Sequence, residues 1–94
     1  MVVSMIQFIL ELPETTSIKE KRKIVVSIKE KLRLKFRISC AEVDLQDSLQ
    51  WAQLGGALVS NSREHGEQVL QKALAFAENQ CRIRDVQIHS EVFE

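Results

Sequence analysis

The 94-residue chain holds few side chains of the kind that carry out chemistry, and most of them are scattered. Glu42, Asp44 and Asp47 form an acidic group at the junction of the second and third predicted strands. Glu42 and Asp44 occupy alternate positions, so on a strand their oxygens share a side and could face one hard cation. No third ligand follows at a recognised spacing, and the plainer reading is a polar hairpin whose turn Asp47 shapes. No metal site and no cofactor are expected. Cys40 and Cys81 lack CxxC spacing and have no histidine nearby, which reads as two reduced thiols in a cytoplasmic protein. His65 and His89 are the only imidazoles, and neither stands in a serine or cysteine nucleophile motif. No catalytic residues are assigned, and the chain is expected not to be an enzyme.

The strongest pattern is electrostatic. Thirteen basic and thirteen acidic residues cancel, yet residues 19 to 37 carry nine basic side chains against two acids, a local charge of +7. The first 18 residues contribute −2, and residues 38 to 94, with four basic and nine acidic side chains, contribute −5. A chain neutral in sum but polar in layout predicts a directional contact with an anionic partner. Lys19, Arg22, Lys23, Lys29 and Arg33 are the candidate nucleic-acid-binding residues. Several of them could meet phosphates at once, releasing counterions and making the contact sensitive to salt. The alternative is an ordinary solvated helix face.

The elements that position these residues follow from periodicity. Val2, Ile6, Phe8, Leu10 and Leu12 alternate with polar positions as a strand with one core face, and Pro13 ends it. The strand-like alternation, with no basic start or small-residue cleavage site, argues against a signal peptide. Ser17 and Glu20 form a capping-box pattern that opens a helix from about Ile18 to Lys35. On its wheel Ile18, Ile24, Val25, Ile28 and Leu32 share a stripe, while Arg22, Val26, Lys29 and Arg33 make a ridge expected on the opposite side. Lys21 falls inside the apolar arc and is expected to snorkel outward along its stem. A second strand is predicted over Phe36–Leu45, where a phase shift after Cys40 marks a bulge, and a third over Trp51–Ser60. Asn61 with Glu64 predicts the cap of a second helix, ending near Asn79, with Val69, Leu70, Ala73, Leu74 and Ala77 on its buried face. Val86, Ile88, Ser90 and Val92 alternate as a last strand.

The order β-α-β-β-α-β predicts an α+β fold in one domain over residues 1–94. It is a ferredoxin-like sandwich with an antiparallel four-stranded sheet and both helices on one face. Its open face would carry Val3, Met5 and Ile9, so the second functional reading is a homo-oligomeric structural or ligand-binding module acting through that face, with a homodimer as its simplest form. No apolar run approaches the ~20 residues that span a bilayer; no membrane partner is expected, and no small-molecule ligand is identified.

The stretch SIKEKRKIV after a strand ending in LP, then AEVDLQDSLQWAQLG, then VSN before the second helix, resembles the bacterial YlxP-like family of short proteins of unknown function. The resemblance runs over residues 1 to about 93. It carries Leu12, Pro13, Ser17, Lys19–Arg22, Ala41–Asp44, Gln46, Asp47 and Val59–Asn61, with Ile18 where many relatives have leucine. It implies a ferredoxin-like fold and, from the translation-related genes that often neighbour the family, an RNA- or ribosome-related setting. It transfers no catalytic residues.

Other uses of this fold are testable by what they require. RRM-type recognition needs aromatic side chains on the central strands, and Gln53–Val59 has none. A KH domain needs a GXXG loop. A metal chaperone needs CxxC where this chain has Pro13–Ser17, and an acylphosphatase needs an arginine-bearing, glycine-rich loop there. None of these is present.

Overall fold

The computed structural model describes all 94 residues and has six elements. They are β1 (Val2–Glu11), α1 (Ile18–Phe36), β2 (Ser39–Asp44), β3 (Trp51–Ser60), α2 (Arg63–Glu78) and β4 (Arg82–Val92). The sheet order is β2-β3-β1-β4, with every neighbouring pair antiparallel. Each β-α-β unit therefore joins two parallel strands with a third lying between them, and the chain is a ferredoxin-like α+β sandwich.

Alternation in β1 sets the two faces. Val2, Ser4, Ile6, Phe8 and Leu10 are buried, while Val3, Met5, Gln7 and Ile9 point to the other side. The core joins Ile6, Phe8, Leu10 and Leu12 to Val25, Ile28 and Leu32 of α1 and Leu70, Ala73 and Ala77 of α2, with Ile38, Cys40, Ala52 and Leu54 from β2, β3 and the turn before β2. Removing these apolar surfaces from water is the main force holding both helices to the sheet.

Helix α1 begins as its sequence predicts: Ser17 Oγ accepts from the Glu20 amide at 3.1 Å. The reciprocal half of the capping box is not made, because the Glu20 carboxylate accepts from Thr16 Oγ1 at 3.2 Å instead. The helix closes at Arg37, which takes the left-handed conformation (φ 56°, ψ 42°) and donates its amide to the Arg33 carbonyl. Strand β2 starts only at Ser39, later than the Phe36 that alternation predicted, because α1 runs one residue past Lys35 and then needs this cap. The bulge lies between Glu42 and Asp44, two residues beyond the predicted phase shift. The cap of α2 is Ser62, whose hydroxyl accepts from the His65 amide at 3.2 Å, one residue after the predicted Asn61. Strand β4 starts at Arg82, four residues before Val86, and a second irregularity interrupts its pairing with β1 between Gln7 and Ile9. Asp85, at φ 55°, takes up that kink.

Ser4 and Ser90 stand at core-facing positions where the strand pattern calls for apolar residues. They hydrogen-bond to each other at 2.9 Å, and Ser90 Oγ donates to Glu67 Oε2 of α2 at 2.6 Å. The chain of hydroxyls satisfies otherwise costly buried polar atoms. It also brings α2 close, since a Cβ on buried Gly66 would collide with the Ser4 hydroxyl and lie 3.0 Å from the Ser4 Cβ.

Candidate nucleic-acid interface on α1

The basic residues of α1 divide into three populations. Lys21 is 2% exposed, the reverse of the expected snorkelling. Its Nζ donates to the carbonyls of Leu45 at 2.7 Å and Ser48 at 2.6 Å, with Gln46 O at 3.4 Å. Glu42 Oε2 lies 3.2 Å away, off the direction of a good hydrogen bond but in ion-pair range. The stem crosses the apolar arc as periodicity placed it. The head turns inward because the β2–β3 turn offers a set of carbonyls there, which no helical wheel reveals.

Arg33 forms the second population, with Lys29 close by. Arg33 Nη2 donates to the Cys40 carbonyl of β2 at 2.8 Å, and Nη1 reaches Glu30 at 3.5 Å. Burial raises the Cys40 thiol above its ordinary value, and Arg33 and then Lys29 pull it partly back. Both cations therefore stand on the flank of α1 beside β2, not diametrically opposite the core.

Lys19, Arg22 and Lys23 are exposed and form no ion pair with any carboxylate of the chain. With Ile18, Val26 and Ser27 they line an open hollow of about 540 Å³ along the first half of α1. Val26 is 50% exposed within it, giving the cationic strip an apolar centre. Of the five candidate residues, these three share one surface, Lys29 lies half-buried toward β2, and Arg33 is partly committed to the β2 backbone.

The remaining candidates are placed as follows. Glu42 turns toward Lys21, while Asp44 Oδ1 accepts from the Leu45 amide at 2.8 Å, capping a residue held at φ 64°. Glu42, Asp44 and Asp47 do not converge into a group able to hold a metal ion. His89 lies 2.8 Å from Glu91 on the exposed side of β4, and His65 is exposed in the first turn of α2. Trp51 sits half-buried at the start of β3 with the Arg84 guanidinium 5.5 Å from its ring centroid. Cys81 is raised by burial as well, so neither thiol has the lowered pKa of a reactive cysteine. No helix is long and apolar enough to cross a membrane.

Fold and surface together define a ferredoxin-like domain with a free cationic strip on its first helix. A de novo designed protein, Foldit4, shares the fold with a TM-score of 0.56 and 10% identity, over 99% of this chain and 98% of that one. A dimeric ferredoxin-like protein from an uncultured marine organism aligns at a TM-score of 0.44 and 11% identity, over 100% and 91% of the two chains. The family model described as protein of unknown function (DUF503) matches residues 3–90, and this chain belongs to that family. It is 40% identical over 63 residues to the Uncharacterized protein YlxP of Bacillus subtilis (strain 168), covering 67% of this chain and 68% of the relative. The YlxP-like resemblance read from the motifs is thereby established.

Proposed function

We propose that this protein is a non-enzymatic cytoplasmic binding protein that meets RNA, in a ribosomal or other setting, through the first half of α1. The observation that carries the reading is the strip of Lys19, Arg22 and Lys23, exposed and unpaired in a chain whose other half carries excess acid. Surface cations free of internal partners can exchange condensed counterions for phosphates without first breaking an ion pair. Lys29 extends the strip toward β2. Arg33 contributes less, since binding a phosphate would compete with its bond to Cys40.

The test is binding of a fluorescein-labelled single-stranded RNA 20-mer at a series of salt concentrations, with co-sedimentation on ribosomes as a second readout. The affinity should fall with salt at a slope of about −0.7 for each phosphate neutralised. Reversing Lys19→Glu, Arg22→Glu and Lys23→Glu together should abolish both signals in a protein that remains folded. Binding that survives this triple change at low salt would refute the reading.

A second reading, a homodimer through the open sheet face, has its own observation. Val3 lies opposite Val59, Met5 opposite Ala57 and Ile9 opposite Gln53 on that face. Val59 is 65% exposed and Val43, which lies across Gly55, is 48% exposed. An apolar group of this kind is what a second subunit would cover. Sedimentation equilibrium at micromolar concentration tests it: Met5→Glu should convert a dimer to a monomer, and a monomeric parent protein removes the reading.

A further inference from the structure

One end of the sandwich holds a second surface with its own chemistry. Strand β2 begins at Ser39 opposite Ala57, whereas β3 continues to Ser60, so the last three residues of β3 have no neighbour on that side. The gap is a notch of about 410 Å³ between the end of α1 and the start of α2. Phe36, Leu58 and Val69 border it and pack against the core. Phe36 is fixed by an edge-on contact with Phe76 at 5.8 Å between centroids. Arg37, Ser39 and His65, all exposed, supply its polar side.

Two features separate this notch from an ordinary surface dip. No carboxylate is among its nine lining residues, and neither Arg37 nor His65 forms an ion pair, so its charge is cationic and unspent. Arg37 also occupies the left-handed cap of α1, a position where glycine ends a helix with least strain. Arg37 is also one of the residues that line the notch, so the cap of α1 puts a cationic residue beside it.

We propose that this notch binds a small organic monocarboxylate with a compact apolar body. Its volume falls within the range of small-molecule pockets. Six of its nine lining residues are hydrophobic, which gives a compact apolar body a surface to rest on. The guanidinium fork matches a carboxylate with two parallel hydrogen bonds, and His65 and Ser39 add donors. Arg37 is the one permanent cation at the site, which favours a single negative charge over a phosphate ester. The site is separate from the α1 strip and does not depend on RNA binding.

The experiment is a titration of the isotopically labelled protein with 3-phenylpropanoate, followed by amide chemical shifts, with 3-phenylpropanamide as the neutral arm and inorganic phosphate as the charge-only arm. Saturable shifts at Arg37, Ser39, His65 and Val69 are expected, with the acid binding at least about tenfold more tightly than the amide and phosphate giving no saturable shift there. Arg37→Gln should weaken the acid by about tenfold and leave the amide unchanged. His65→Gln, a change at an exposed position, should weaken it by a smaller factor. Unaltered resonances of Trp51, at the opposite end of β3, would show that both variants remain folded. Equal binding of acid and amide, tighter binding of phosphate, shifts confined to Lys19–Lys23, no saturation, or indifference to Arg37→Gln would each overturn the proposal.

Discussion

Lys21 and Lys23 lie two residues apart on one helix, and the fold treats them in opposite ways. The first is buried with its ammonium held by the Leu45 and Ser48 carbonyls and beside Glu42. The second stands in solvent with no carboxylate partner. A local charge of +7 in the sequence therefore overstates the charge that a partner can meet. One lysine of the run works inside the protein, tying α1 to the β2–β3 turn. Charge density locates a candidate surface, but only the partners of each charge say which residues belong to it.

The contrast can be broken most severely at the buried member. Lys21→Met keeps the stem but leaves the carbonyls without their donor and Glu42 without its counter-charge, and should cost about 3–5 kcal/mol in urea denaturation. Adding Glu42→Leu should recover part of that loss, since the stranded carboxylate is then gone. Lys23→Met provides the matched control and should change stability by no more than about 0.5 kcal/mol. A similar cost for both lysines would mean that the buried and the exposed lysine play the same part in the fold.

The second helix offers a milder perturbation, because its polar link to the sheet runs from the Ser4–Ser90 hydroxyl pair to Glu67, where α1 uses a buried cation. Gly66→Ala should destabilise by about 1–3 kcal/mol, as the new methyl must displace Ser4 from beneath α2. A smaller cost still is expected from alkali. Burial raises both thiol pKa values in the folded state from an ordinary 9.0, so the folded chain holds those protons more tightly than the unfolded one. Their contribution is intact below 9.0 and is lost as pH climbs above it. Replacing Cys40 with alanine should flatten that alkaline part of the stability profile. A fluorescent thiol reagent at neutral pH should label Cys81 slowly and the buried Cys40 more slowly.

Much of the architecture was legible because it rests on local, repeated signals. The two-residue alternation of β1, the apolar stripe of α1, the Ser17 cap and the full extent of β3 all follow from neighbours close in sequence. Errors gathered where backbone geometry or distant residues decide. Arg37 closes α1 in a conformation its residue type does not advertise, which delays β2. Ser62 displaced Asn61 as the cap because both types suit that role and only backbone geometry chooses between them. Lys21 reads as a snorkelling residue until a turn 24 residues later provides its carbonyls. Likewise, the wheel placed Arg33 among the outward cations, because the Cys40 carbonyl that receives it is contributed by another element. The strip of Lys19, Arg22 and Lys23 was visible in the sequence. The notch at Arg37 and His65 was not, because it arises from the mismatch in length between two strands.

The bond from Arg33 to the Cys40 carbonyl bears on more than the charge of α1. Outermost strands offer backbone groups that can recruit further chains into growing ribbons. Here one outer strand has a carbonyl occupied by a guanidinium, and the other is kinked at Asp85 between the charged side chains of Arg82, Arg84 and Glu91. Each border of the sheet thus carries its own obstacle to ladder extension, while the face that neither helix covers stays open.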